Sequence, residues 1–307
     1  MKADWQINSL NNVCDVNPEQ IGKSYPFDKI FYIDISSVAT GSLKNEIAEI
    51  DIRNSPGRAR RIVKDGDSII ATVRPNLRSF LYLKNPNRNT IVSTGFAVLR
   101  PKHETDKRFL YYLTTNQSFT DYLVANTKGS AYPAVTSDIF EKAQVLIPPL
   151  PTQQRIAGVL SAYDDLIENN TRRIKILEEM AQRIYKEWFV HFKFPGHEKT
   201  KLVNSPLGKI PERWEVKAIE DAIEFNPKEA LSKEAEKPYA AMENLSNDSM
   251  IVTLKEYRTG NSGSKYRNGD TLFARITPCL ENGKTGFVQF LDETEIGIGS
   301  TEFIVLR

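Results

Sequence analysis

Between residues 151 and 194 the apolar positions keep one spacing. Ile156, Leu160, Tyr163 and Ile167, then Ile174, Leu177, Ala181, Ile184 and Trp188, follow one another in steps of four and three, and Asn170 and His191 take the polar slots of the series. A repeat averaging about 3.5 residues holds one seam toward a partner helix. The pattern predicts a single helix over 151–194, capped by Thr152 and stopped at Pro195-Gly196. Val159, Leu166 and Met180 form a flanking row that widens the seam. Glu168 with Arg172, and Glu179 with Arg183, stand four apart on a charged outer face. Some 40 residues at 1.5 Å each make a rod of roughly 60 Å. That length, with a charged outer face, fits a spacer or docking helix better than one buried in a core.

On either side the period changes. Short β-type runs occur at 29–35, 68–73, 80–83 and 96–99, punctuated by Gly, Pro and Asn, and 106–124 carries a helical pattern. A loop over 129–138 leads through 145–147 into the proline-rich start of the rod, and 195–213 is polar and proline-punctuated, as a linker would be.

Residues 214–307 then repeat the opening stretch in order. Trp5 corresponds to Trp214, Asn17-Pro18 to Asn226-Pro227, Gly66-Asp67 to Gly269-Asp270, and Pro75-Asn76-Leu77 to Pro278-Cys279-Leu280. The run from Ser93 to Arg100 corresponds to that from Ser300 to Arg307. Singly these are turns and core anchors; kept in order, they indicate two copies of one domain. The expected fold is mixed α/β (α+β): a first recognition domain at 1–150, a spacer helix at 151–194, a linker at 195–213 and a second domain at 214–307. The second copy is expected to be incomplete, stopping short of a second long helix.

Composition narrows the function. The 307 residues carry a formal charge of only +2, so any polyanion contact must come from local patches. No run is long enough for a membrane span, and the N-terminus lacks a signal peptide's apolar region, so a cytoplasmic protein is expected. Cys14 and Cys279 read as reduced thiols, and the three histidines have no metal spacing. There is no P-loop, and Asn17-Pro18 and Asn226-Pro227 lack the second proline and aromatic ring of a base-flipping methyltransferase motif. Glu215-Val216-Lys217 has the shape of a nuclease fragment without an upstream acidic partner.

The lead-in Ile147-Pro-Pro-Leu-Pro-Thr-Gln-Gln-Arg-Ile156, the segment Ile167-Glu-Asn-Asn-Thr-Arg-Arg173, Trp188-Phe-Val-His-Phe192 and the domain start Leu207-Gly-Lys-Ile-Pro-Glu-Arg-Trp214 resemble the specificity (S) subunit of type I restriction–modification systems. Thr152 stands where that family commonly has Glu. The resemblance implies two target-recognition domains that each read half of a split double-stranded DNA site. It also implies that the long helix docks methyltransferase (M) subunits, and that a restriction (R) subunit joins the larger complex. Catalysis, S-adenosylmethionine and ATP would belong to those partners, with no cofactor on this chain. An assembly scaffold or inhibitor whose repeated domains bind protein is the rival reading.

Under the DNA reading, the first domain offers Arg53, Arg58, Arg60, Arg61, Lys64, Arg74, Asn76 and Arg78, with Lys128, Ser130 and Tyr132 in the following loop. Guanidiniums suit phosphates and guanine edges, and an amide suits adenine. The second domain offers Lys265, Arg267, Arg275 and Lys284. About half of these are expected to touch nucleic acid. Asn170 on the seam fits a register-setting role. With one long helix, a homodimer through the rod is a further expectation. Trp188, Phe189 and Phe192 are expected to pack against a recognition domain or a second helix.

Overall fold

The computed structural model describes residues 4–22, 24–129, 133–247, 249–253 and 256–307. The chain divides into two compact units, Met1–Ala181 and Gln182–Arg307.

In the first unit β1 (Gln6–Ser9), α1 (Leu10–Val13) and β2 (Cys14–Val16) precede β3 (Lys29–Ile33), β4 (Glu49–Asp51) and β5 (Ala59–Ile62). Next come β6 (Ser68–Ala71), β7 (Phe80–Tyr82), β8 (Thr90–Ser93) and β9 (Phe96–Pro101). The expected helical stretch divides into α2 (Lys107–Thr115) and α3 (Gln117–Ala125), because Asn116 leaves the helical conformation and its side-chain oxygen caps the Phe119 amide at 2.8 Å. The layer closes with α4 (Ser137–Lys142) and β10 (Gln144–Ile147), which pairs antiparallel with β1.

The strands form two four-stranded sheets, ordered β4-β3-β8-β5 and β2-β9-β6-β7. Ile33, Ile69, Phe96 and Val98 belong to the core between the sheets, and Ile70, Ala97 and Leu99 to a second core with α1 to α4. With both faces covered, β6 and the first four residues of β9 are buried without alternation.

The long helix α5 spans Leu150–Tyr185. It begins earlier than a Thr152 cap would allow. The Thr152 amide already bonds to the Pro149 carbonyl at 2.8 Å, and Pro151 sits in the first turn, where a missing N–H costs nothing. A wider, π-type turn follows over Lys186–Val190, and left-handed Phe192 (φ 56°) ends the run before Pro195.

In the second unit the stretch read as a linker contains a hairpin, β11 (Leu202–Ser205) with β12 (Gly208–Pro211). Then come β13 (Lys237–Ala240), β14 (Glu256–Arg258), β15 (Ser264–Tyr266), β16 (Thr271–Ala274), β17 (Thr285–Phe287), β18 (Gly297–Gly299) and β19 (Phe303–Leu306). The sheets are ordered β14-β13-β18-β15 and β17-β16-β19.

The duplication holds at the level of register. Ser68 to Ala71 pair with Leu99 to Phe96, and Thr271 to Ala274 pair in the same way with Leu306 to Phe303. β3 runs parallel to β8 as β13 does to β18, and a single 3-10 turn follows β3 and β13 alike. Asn17 and Asn226 are both left-handed, and the side-chain oxygen of each accepts from a strand amide, Val98 at 2.9 Å and Val305 at 3.0 Å.

Candidate nucleic-acid interface

Two of the basic residues singled out in the sequence belong to this duplicated framework. Asp67 is buried; it caps the Lys64 amide at 2.8 Å and takes both arms of the Arg100 guanidinium, at 2.9 and 2.7 Å. Glu19 completes the cluster by pairing with Lys64 and Arg100. The second unit repeats it with Asp270, Arg307, Arg267 and Glu229: Arg267 forks onto Glu229 at 2.6 and 2.8 Å, and Arg307 bridges Glu229 and Asp270. Lys64 holds the Glu19 carboxyl below its usual range, with Arg100 adding to the effect. Arg267, then Arg307, lower that of Glu229 to about 2. Lys64 and Arg267 thus carry framework ion pairs, which their sequence spacing did not reveal.

The other cations of the first unit occupy varied surroundings. Arg53 is exposed and forks onto Asp51, Arg58 pairs with Asp34 at 2.9 Å, and Arg60 donates to the Gly57 carbonyl at 2.9 Å. Arg61 is half-buried beside a bulge in β5, and its Nη1 has no hydrogen-bond partner among the described residues. Burial pushes that guanidinium below its ordinary pKa. Arg78 donates to Gln117 Oε1 at 2.6 Å and to the Thr115 carbonyl at 2.9 Å, so it fastens a turn to α2 and α3. Arg74 and Asn76 are exposed at that same turn, with Arg74 left-handed at φ 48°. Lys128 is exposed on a backbone bridge to Ala134; Ser130 and Tyr132 lie outside the described residues.

In the second unit Lys265 sits half-buried on β15, Arg275 pairs with Glu302 at 3.1 Å, and Lys284 reaches the Met242 carbonyl at 3.2 Å. By register Lys265, Arg275 and Lys284 match Ile62, Thr72 and Ser79, so only Arg267 falls on a basic counterpart, Lys64. One scaffold therefore carries two different charge patterns. Lys265, Arg275 and Lys228 line an open cleft together with Asn226, Ser264 and Thr301. No cluster among the described residues has enough acidic, His or Cys ligands for a metal, and both cysteines are free.

Only the start of α5 is fastened to the strands and helices of the first unit. Gln153, from the proline-rich motif, is buried; it accepts from the Asp106 amide at 2.9 Å and donates to the Pro148 carbonyl at 2.9 Å. Ile156 is half-buried, Tyr112 donates to Asp164 at 2.6 Å, and Lys84 pairs with Asp165 at 3.3 Å. Beyond that point the seam is exposed, with Ile167 at 63%, Leu177 at 62% and Ile174, Ala181, Ile184 and Asn170 also open. Leu160 and Tyr163 are exposed as well. Of the two expected outer-face pairs, Glu168–Arg172 forms at 3.0 Å; Glu179 instead meets Lys175 at 4.0 Å. Trp214 is ringed by Phe189, Phe192 and Phe194 at 5.3 to 6.0 Å, while Trp188 remains exposed.

A twice-used α/β scaffold with unlike charged surfaces, in a chain that also carries a long helix with an open apolar seam, defines a protein of duplicated domains with a long exposed helix. The family profile described as "type I restriction modification DNA specificity domain" matches residues 2–179, and the chain belongs to that family. It is 29% identical over 249 residues to the type I restriction enzyme HindI specificity subunit of Haemophilus influenzae, covering 78% of this chain and 52% of the relative. It is 26% identical over 312 residues to the MjaIX specificity subunit of Methanocaldococcus jannaschii, covering 94% of this chain and 69% of the relative. The chain thus spans about half the length of the first relative. The crystal structure of a type I restriction-modification S subunit from M. genitalium shares the fold, with a TM-score of 0.56 at 13% identity over 100% of this chain and 73% of the other.

Proposed function

We propose that this chain selects DNA sequence for a type I methylation and restriction complex and performs no chemistry itself. Each unit reads one half of a bipartite duplex site, using those cations that the framework ion pairs leave available. The exposed seam of α5 docks methyltransferase subunits, and the restriction subunit joins that assembly. S-adenosylmethionine and ATP are bound by those partners, and the complex works in the cytoplasm. The observation that carries the reading is the duplication itself: the same strand register appears twice while, Lys64 and Arg267 apart, the basic positions do not coincide. That pairing suits one scaffold presented to two different sequences. A fluorescence-anisotropy titration with duplex DNA, with and without a methyltransferase subunit, tests it. Saturable binding that strengthens with the subunit is expected. Absence of DNA binding in both arms would favour the protein-binding scaffold instead. Light scattering of the chain alone tests the homodimer: a monomer at high concentration would reserve the seam for the methyltransferase subunit.

A further inference from the structure

The stretch 72–79 between β6 and β7 does not close as a tight hairpin. Pro75–Leu77 form a 3-10 turn, flanked by Arg74 at φ 48° and Arg78 at φ 53°. Two left-handed arginines are uncommon, and such strain persists only where the surroundings fix it. Here they do. Pro75 is buried, the Arg74 amide donates to the Pro133 carbonyl at 2.8 Å, and Thr40 Oγ1 donates to the Arg78 carbonyl at 3.1 Å. The Arg78 guanidinium donates to Gln117 Oε1 at 2.6 Å and to the Thr115 carbonyl at 2.9 Å, and it lies 5.4 Å from the centre of the Phe80 ring. With its base anchored, the turn presents Asn76 and Leu77 outward, Leu77 at 62% exposure.

Backbone bonds lace this turn into one basic rim. Thr94 N–H donates to the Arg58 carbonyl and Thr72 N–H to the Gly95 carbonyl, each at 2.8 Å. Val135 N–H donates to the Thr72 carbonyl at 2.9 Å, and Ala134 and Lys128 bond each other in both directions. Arg58, Arg74 and Lys128 are exposed along the rim, Arg58 beside Asp34. A leucine outside the core is ordinary by itself. One held at a rigid tip next to an amide, among cations that attract a polyanion, has a more specific use.

We infer that this tip reads an A·T base pair in the major groove of the half-site taken by the first unit, with the Asn76 amide on the adenine edge and the Leu77 side chain against the thymine methyl; the inference rests on the DNA reading proposed above. Adenine offers N7 as acceptor and the N6 amino group as donor, which one carboxamide meets together, and the thymine methyl is the apolar mark on the same groove edge. Neighbouring side chains of one turn suit neighbouring features of one edge. Arg78 is a positioning residue: its guanidinium is engaged by α2 and α3, so it aims the tip without contacting phosphate. By register Pro75-Asn76-Leu77 becomes Pro278-Cys279-Leu280, so the second unit keeps the leucine without the amide, and the adenine contact belongs to the first half-site.

The test uses the full chain assembled with methyltransferase subunits and the duplex it selects, with each thymine in turn replaced by deoxyuridine, which removes only the methyl. At one thymine, binding should weaken about fourfold, the worth of one buried methyl, and Leu77→Ala should bind both duplexes alike. Placing 7-deaza-adenine at that pair should weaken the native protein about fivefold or more and leave Asn76→Ala indifferent. Arg78→Ala should lose the thymine preference with an unchanged slope of log affinity against log salt, whereas a lost phosphate contact would reduce that slope by about 0.9. A selected duplex in which no thymine methyl matters, or a sensitivity that survives Leu77→Ala, would overturn this proposal alone. Failure to bind any duplex would overturn the DNA reading with it. Leu77→Ala that keeps base choice intact but releases the methyltransferase subunits would assign the tip to a protein contact instead.

Discussion

Replacing Asp67 with Asn keeps the side chain's shape and removes its charge. Asp67 is 1% exposed and Arg100 19%, and the guanidinium meets both carboxylate oxygens at 2.9 Å or closer. Breaking a buried pair from one side costs about 3–5 kcal/mol, because the abandoned charge has no water to turn to. Here Arg100 keeps Glu19, and the new amide can still accept from Lys64 N–H, so the expected loss is about 2–3 kcal/mol. Asp270→Asn should cost less, about 1–2 kcal/mol, since Arg307 is 33% exposed and partly hydrated. Native-state hydrogen exchange separates the units, with the Val98 amide reporting on one and Val305 on the other. Asp67→Asn should lower protection at Val98 by about 30- to 150-fold and leave Val305 unaltered. Less than a twofold change at Val98, or a larger cost for Asp270→Asn, would refute the claim that this cluster is a buried fastening used twice.

Three more outcomes follow from the same geometry. Glu229 has a pKa lowered to about 2 from an ordinary value near 4.5, so its contribution is present above pH 4.5 and lost as pH falls toward 2; Val305 protection should drop over that window, and Glu229→Gln should flatten the drop. Arg58, Arg60 and Arg61 changed together to Ala should weaken duplex binding and reduce the slope of log affinity against log salt by about 0.9 for each phosphate no longer neutralised, and an unchanged slope would remove the patch from the interface. Ile167→Glu with Leu177→Glu, both at exposed seam positions, should alter stability by no more than about 0.5 kcal/mol while abolishing co-purification with a methyltransferase subunit.

The rod and the duplication were legible in the sequence because each writes a long-range pattern: a 3.5-residue seam in one case, ordered Asn-Pro and Gly-Asp pairs in the other. What those pairs do was not legible. Asn17 and Asn226 look like turn residues, and only the folded chain shows their side chains closing on strands some 80 positions away, at Val98 and Val305. The roles of Lys64 and Arg267 were hidden for the same reason, since Glu19 and Glu229 are distant in sequence. Gln153 was visible only as part of a motif, although its amide satisfies both the distant Asp106 N–H and the Pro148 carbonyl. Asp164 and Asp165 tie the helix to Tyr112 and Lys84, contacts that helical spacing does not disclose. Charge pattern alone cannot tell a free cation from a paired one.

Selection from random duplexes by the full chain assembled with methyltransferase subunits tests the central claim most directly. Two fixed half-sites at constant separation should be enriched, and Arg58→Ala with Arg60→Ala should relax the choice of bases in one half while leaving the other intact. Enrichment of a single continuous site, or of none, would contradict a duplicated scaffold whose two units read DNA separately.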